Sequence, residues 1–339
     1  MRKERSYKFS FLLLLVLVIA AFVLNLSLGS VAIPFSETIA ILLGDTTVDE
    51  SKSYIILNYR LAKAVTAILV GGGLAVSGLL MQTLFRNPLA GPFVLGISSG
   101  ASLGAALLLL GASVLGGILY FDTSLVIAAS LGSFLVLLVV MVVANKVRDT
   151  MTLLIIGLMF GSITAAIVSV LAYFSDAESL QRFIFWSYGS VSSLSWKQIL
   201  LLLAIVILGL VLSLFSVKSL NAFLLGENYA ESLGVSIKKS KYLIILATGL
   251  LAGSITAFAG PIAFVGLAVP HLTRQLISST NHSIVLPAVF IYGAILMLLC
   301  DTIAQLPNSA TVLPINAITS LFGAPIVIWL LVRKRKILF

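Results

Sequence analysis

Several things are scarce in these 339 residues, and each scarcity excludes a class of protein. A single cysteine, Cys300, leaves no disulfide framework and no thiolate metal site. The two histidines, His271 and His282, show no H-E-x-x-H spacing and have no acidic neighbour, so no metal site is assigned. No G-x-x-x-x-G-K-[ST] run occurs, so the chain does not bind ATP through a P-loop. A nucleophile with a base partner, or a pair of buried aspartates, is also missing; no catalytic residue is assigned. Charge itself is thin. Only 10% of residues are charged, against about 25% in soluble domains. With 60% hydrophobic residues, a soluble globular fold is excluded.

What is present is a series of apolar runs. They cover residues 9–29, 60–84, 93–111, 123–145, 152–174, 197–217, 241–258, 262–277, 284–303 and 312–332. Each spans or nearly spans a hydrocarbon layer, which takes about 20 helical residues. The expectation is a single all-α polytopic domain with ten spans. The first run follows the basic start MRKERSYK but is of span length, and no small-residue cleavage pattern follows it, so it reads as a retained span.

The net charge of +9 is best explained by topology rather than by nucleic acid. With the N-terminus inside, all lysines and arginines except Lys52, Arg60, Lys63, Arg182 and Lys197 fall on the cytoplasmic side. The positive-inside rule therefore places both termini in the cytoplasm. Of the acidic residues only Asp301, near the outer end of the ninth run, lies plausibly within the membrane. Ion-driven carriers need ionisable groups at depth, because burying them is costly unless function demands it. That argues against an ion-coupled secondary transporter.

Small residues recur at four-residue spacing in Gly96-Gly100-Gly104, Gly157-Gly161-Ala165 and Gly249-Gly253-Ala257. Such faces let helix backbones approach closely; pore lining is the rival use. A short internal echo links Ala90-Gly91-Pro92-Phe93-Val94-Leu95-Gly96 to Ala259-Gly260-Pro261 followed by Phe264-Val265-Gly266. Inverted repeats of this kind occur in transporters, with the pathway between halves. The aromatic stretch 175–196 suits either an interfacial belt or a re-entrant helix at a pathway mouth.

The longest polar interruption on the basic side runs from Ser219 to Lys241. Glu227 and Glu231 stand in helical register, and Lys238, Lys239 and Lys241 close the stretch. One reading is an amphipathic helix at the headgroups, using Leu220, Phe223, Leu224, Ala230 and Leu233. Glu227 and Glu231 would meet an anionic leaflet unfavourably, which favours a cytoplasmic protein partner.

Taken together, Tyr59-Arg60-Leu61-Ala62-Lys63, GGGLAVSGLLMQTLFRNPLAGPFVLGISSGASLG (71–104), LGENYAESLGV (225–235), GPIAFVGLAVPHLTR (260–274), DTIAQ (301–305) and LPINAITSLFGAPIVIWLL (313–331) resemble the FecCD-type permeases. These are transmembrane subunits of type II ABC importers for ferric siderophores, haem or cobalamin. The resemblance implies a homodimer or a pseudo-symmetric heterodimer in the bacterial inner membrane. It also implies two cytoplasmic ATPases that hold ATP and Mg, and an extracytoplasmic binding protein. No cofactor is implied on this chain itself. Leu225, Gly226, Glu227, Ala230, Leu233 and Gly234 fall where relatives carry their ATPase-coupling helix, with the two glycines permitting sharp bends. Arg60 and Lys63 fall where relatives dock the binding protein, Lys63 standing in for an arginine and lacking its bidentate geometry. A third docking position is the neutral Gln305. Thr150 and Met151 align with a cytoplasmic gate, and Asn316 is either a packing hydrogen bond or a substrate contact. Ferric siderophore leads as substrate, with haem and cobalamin next; a secondary transporter and a non-transporting scaffold are the rivals.

Overall fold

The computed structural model describes residues 2–45, 47–111, 123–147, 150–306, 309 and 311–332. Among these residues there is no strand. Helix α1 (Arg2–Ser27) leads through a short α2 (Phe35–Leu42) to α3 (Glu50–Tyr54). Without a break, α3 passes through a π turn (Ile55–Arg60) into α4 (Leu61–Leu84). A 3-10 turn (Pro92–Leu95) precedes α5 (Ile97–Leu109). Next come α6 (Ser124–Lys146), α7 (Thr150–Phe174), α8 (Ala177–Ser187) and α9 (Trp196–Phe215). The segment between α9 and the next span folds as α10 (Val217–Phe223) and α11 (Glu227–Ser232). Helix α12 (Ile237–Thr248) runs through a second π turn (Gly249–Gly253) into α13 (Ser254–Ala259). Helices α14 (Val265–Leu276), α15 (His282–Ala304) and α16 (Ile315–Val332) complete the order.

Seven of these helical stretches are long and apolar enough to cross a membrane. The shorter apolar helices α5 and α16 add to these, in keeping with the all-α polytopic fold expected from hydropathy. The boundaries differ for local reasons. The helix that carries the second apolar run extends back over Glu50–Leu84, because Asp49 caps α3 by accepting from Ser51 N–H at 2.8 Å. A polar helical extension of this sort is invisible to an apolar window. The sixth span starts at Trp196 because Ser195 and Gln198 form a capping box.

Helix α4 is the axis. Every residue from Leu69 to Leu84 is buried, so over this length it offers no face to lipid. It packs against α15, α14, α9 and α12. The contacts are backbone to backbone: a Cβ built on Gly71 would strike the Gly293 carbonyl of α15, and one on Gly78 the Gly266 carbonyl of α14. Gly72 lies under the Phe290 ring and Gly73 under Ile255 of α13. Without a hydrophobic drive between helices in lipid, close dispersion contact of this kind holds the bundle.

The periodic glycines also serve packing. Gly100 and Gly104 of α5 lie on Gly132 and Ala128 of α6, and Gly157 of α7 lies on the Val94 carbonyl. Gly249 meets Leu137, and Gly253 meets Ser133. The echoed segments share a backbone device: each ends in a left-handed residue just before a helix, Gly96 (φ +72°) before α5 and Phe264 (φ +66°) before α14. They also meet in space, since Gly266 packs on Pro92 and on the Leu74 carbonyl of α4. The stretch 175–196 forms α8 and a loop that folds onto this region, with Ser190 N–H donating to the Ala259 carbonyl at 2.8 Å.

Replacing Gly78 by leucine sets a side chain against a backbone carbonyl that cannot yield. The expected cost is about 3 kcal/mol, seen as loss of a monodisperse peak in detergent. Gly161→Ala, where the only near neighbour is the Ser99 hydroxyl, leaves that peak intact.

Candidate functional site

At the end of the bundle that carries α10 and α11, the chain turns sharply twice. Gly226 has φ +108° and Gly234 φ +81°, conformations that favour glycine. At these bends α11 and its flanking residues present a buried and an exposed face. Ala230 is fully buried, whereas Leu225, Tyr229 and Leu233 are more than half exposed. Leu220, Ala222 and Phe223 of α10 are buried inside the protein. The headgroup-helix reading therefore loses most of its apolar face, and what remains outward is a compact Leu225–Tyr229–Leu233 patch. A cavity of about 650 Å³ lined by Arg86, Leu225, Asn228, Tyr229 and Ser232 lies on one side of α11. A groove of about 610 Å³ lined by Val147, Glu227, Glu231 and Lys238 lies on the other.

This segment is tied to the spans by polar contacts that the sequence did not single out. Lys241 Nζ donates to Glu227 at 3.0 Å, and both side chains are largely sheltered. Lys241, one of the lysines that close the polar stretch on the basic side, is turned inward to a carboxylate. The Ser240 hydroxyl donates to the Ser219 hydroxyl at 2.8 Å. Asn221 Oδ1 accepts from His282 N–H and from ring Nδ1 at 2.9 and 2.8 Å. That leaves His282 Nε2 facing the Thr83 hydroxyl of α4, 2.9 Å away. The signal available in sequence was Lys241, the last of three lysines in the opening turns of an apolar span, fourteen residues after Glu227.

Thr150 is the first residue of α7, and Met151 beside it is about half exposed. Both follow Val147, which lines the 610 Å³ groove, so the expected gate segment adjoins the coupling segment. Asn316 at the start of α16 accepts from Ala263 N–H at 3.0 Å, holding the broken chain before α14. Of its two readings, this contact is a packing hydrogen bond. His271 Nε2 lies 2.9 Å from the Pro88 carbonyl, bracing a loop rather than facing a reacting group.

At the opposite end Arg60 and Lys63 are drawn inward. Arg60 is 5% exposed and donates to the Leu26 carbonyl at 2.7 Å, the Ser27 carbonyl at 2.9 Å and the Val31 carbonyl. A cation there satisfies carbonyls left open where α1 ends. Lys63 Nζ lies 3.2 Å from Asp301 Oδ2, with side chains 10% and 6% exposed. The same oxygen accepts from Asn25 Nδ2 at 2.7 Å and from Gln305 Nε2 at 2.8 Å. Gln305 is thus a partner of the buried aspartate. Arg60, Lys63, Tyr59, Ser192 and Gln305 line a cleft of about 400 Å³. Where outward docking charges were expected, the structure shows a polar clamp joining α1, α4 and α15.

The FecCD transport family matches residues 16–333, and the chain belongs to that family, the non-enzymatic transmembrane permease subunits of ABC transporters. The chain is 34% identical to the hemin transport system permease of Yersinia pestis, over 99% of this chain and 98% of that one. It is 35% identical to the vitamin B12 import permease of Klebsiella pneumoniae and 36% to that of Vibrio cholerae, each over 98% of this chain and 96% of the relative. Among solved structures it resembles an inward-facing metal-chelate type ABC transporter, with a TM-score of 0.81 and 30% identity over 97% of this chain and all of that one. PsaBC from Streptococcus pneumoniae shares the fold, with a TM-score of 0.58 at 15% identity. The protein is a multi-pass membrane permease.

Removing one partner of the buried Lys63–Asp301 pair strands a charge in a low-dielectric setting. Asp301→Ala should lower stability by about 3–5 kcal/mol, read as earlier thermal unfolding in detergent. The double change Lys63→Met with Asp301→Met recovers most of that loss.

Proposed function

We propose that this chain imports a metal chelate across the bacterial cytoplasmic membrane, through the interface of two copies and under the drive of separate ATPase subunits. The observation that carries the reading is the α10–α11 segment. A chain without a P-loop needs a contact through which an ATPase can act. Here an exposed Leu225–Tyr229–Leu233 patch is formed by α11 and its flanking residues, with sharp bends at Gly226 and Gly234. Leu225, Gly226, Glu227, Ala230, Leu233 and Gly234 then form the coupling element, with Ala230 rooting it in the protein. ATP and Mg reside on the partner. Both termini lie in the cytoplasm with this segment, and Thr150–Met151 gates the path beside it.

On substrate, the relatives named above act on hemin and vitamin B12. Both molecules are metal-bearing tetrapyrrole-type macrocycles, so that class moves ahead of ferric siderophores in our reading. The binding protein docks over the cleft that holds Arg60 and Lys63, and its carboxylates would compete there with the internal partners of those two cations. Ion-coupled carriage is disfavoured, because Asp301 is occupied by three donors rather than held ready for an ion.

Reconstitution in proteoliposomes with a partner ATPase and binding protein tests the reading. Haemin, cyanocobalamin and ferrichrome are offered in turn. ATP-dependent uptake of haemin or cyanocobalamin is expected, and uptake driven by an ion gradient with no ATPase present would sink the proposal. Separately, Leu225→Arg with Leu233→Arg alters two exposed positions. The double variant should fold normally yet reduce ATPase co-purification at least tenfold.

A further inference from the structure

The ties that hold the coupling segment are unequal in kind. Ser219 and Asn221 reach α12 and α15 from α10, the buried part of the segment. Among the described residues, a polar side-chain tie from α11 itself to a span is made by Glu227. Its carboxylate meets Lys241 Nζ through both oxygens, at 3.0 Å each. The lysine side chain is 10% exposed and the glutamate 35%. This is a sheltered, charge-assisted contact with the cation held by α12 and the anion by the first residue of α11.

We propose that Lys241 is a positioning residue for energy transfer: through Glu227 it makes α11 and the α12–α13 span move as one body. The inference rests on the ABC-permease reading above and deepens it by naming the strut.

The geometry supports this in two ways. First, α11 has six residues and glycines with positive φ at each end, so its own backbone cannot resist a push. Something outside the helix must fix its angle. Ala230 supplies one fixed point by burial, and a single point leaves rotation free; the Glu227–Lys241 contact supplies the second. Second, the receiving element is suited to carry displacement inward. Helix α12 is continuous with the π turn and α13, whose Ile255 lies against Gly73 of α4. A push on α11 thus reaches the central helix by rigid contacts.

The test uses the complete complex of permease, ATPase and binding protein, with haemin and cyanocobalamin as the transported probes. Lys241→Gln keeps a donor but removes the charge; Lys241→Arg restores it. For Lys241→Gln the expected result is a folded chain that retains its ATPase and its basal hydrolysis. Chelate imported per ATP hydrolysed falls at least fivefold, and Lys241→Arg recovers at least half of the wild-type ratio. Amide hydrogen exchange over residues 227–235, measured on the permease alone, should quicken about tenfold in Lys241→Gln. A merely structural lysine would lower yield and both rates together, leaving their ratio unchanged. An unchanged ratio with unchanged exchange overturns the strut, and so does a Lys241→Gln chain that does not fold. A wild-type chain that binds no ATPase would instead overturn the parent reading, and the exchange measurement would still decide whether Lys241 fixes α11.

Discussion

In a bilayer, helices gain nothing by hiding apolar side chains from one another, since the surrounding lipid is equally apolar. What brings α4 to the centre is instead the absence of side chains at Gly71, Gly72, Gly73 and Gly78, which lets three neighbouring elements come down onto its backbone. Dispersion falls off steeply with separation, so contact at this range is worth far more than the same atoms one methyl further apart. The other spans are placed by it. Helix α15 lies on Gly71, α14 on Gly78, α13 on Gly73, and the broken segment before α5 packs against α14 where α14 meets α4.

Close glycine contacts fix distance but give little resistance to sliding, because few side chains interlock. The ends of the bundle provide that resistance with polar groups. At one end Asp301 gathers Lys63, Asn25 and Gln305, joining three helices around one carboxylate oxygen. At the other, His282 links Thr83 of α4 to Asn221 of α10. Charged groups in so dry a setting are tolerated only when paired, and each pairing then holds its helices in register.

The sequence made the polytopic helical plan, the glycine packing faces and the bends at Gly226 and Gly234 legible, because hydropathy and backbone freedom are local properties. It also marked Asp301 as the one acid at depth. It could not show which partner Asp301 takes, since Asn25 and Lys63 lie on other spans and reach it only once the helices pack. For the same reason Arg60 and Lys63 read as outward charges, while packing turns them to the open carbonyls of α1 and to Asp301. The Glu227–Lys241 contact was hidden by a different effect. A lysine at the start of a span satisfies the positive-inside pattern whether it faces lipid headgroups or a glutamate.

The placement of the polar ties bears on how a permease without its own energy source could work. Force arriving at α11 has two routes inward: through Lys241 into α12 and α13, and through α10, Asn221 and His282 to Thr83 at the end of α4. Helix α4 is held at its far end by the Lys63–Asp301 clamp, so a push at the near end tilts it rather than carrying it along. The α12–α13 span carries a π turn at Gly249–Gly253 yet runs through it as one continuous helix, with Ile255 beyond the turn set against Gly73 of α4. One route thus reaches α4 at Thr83, near its C-terminal end, and the other reaches it at Gly73, near its middle.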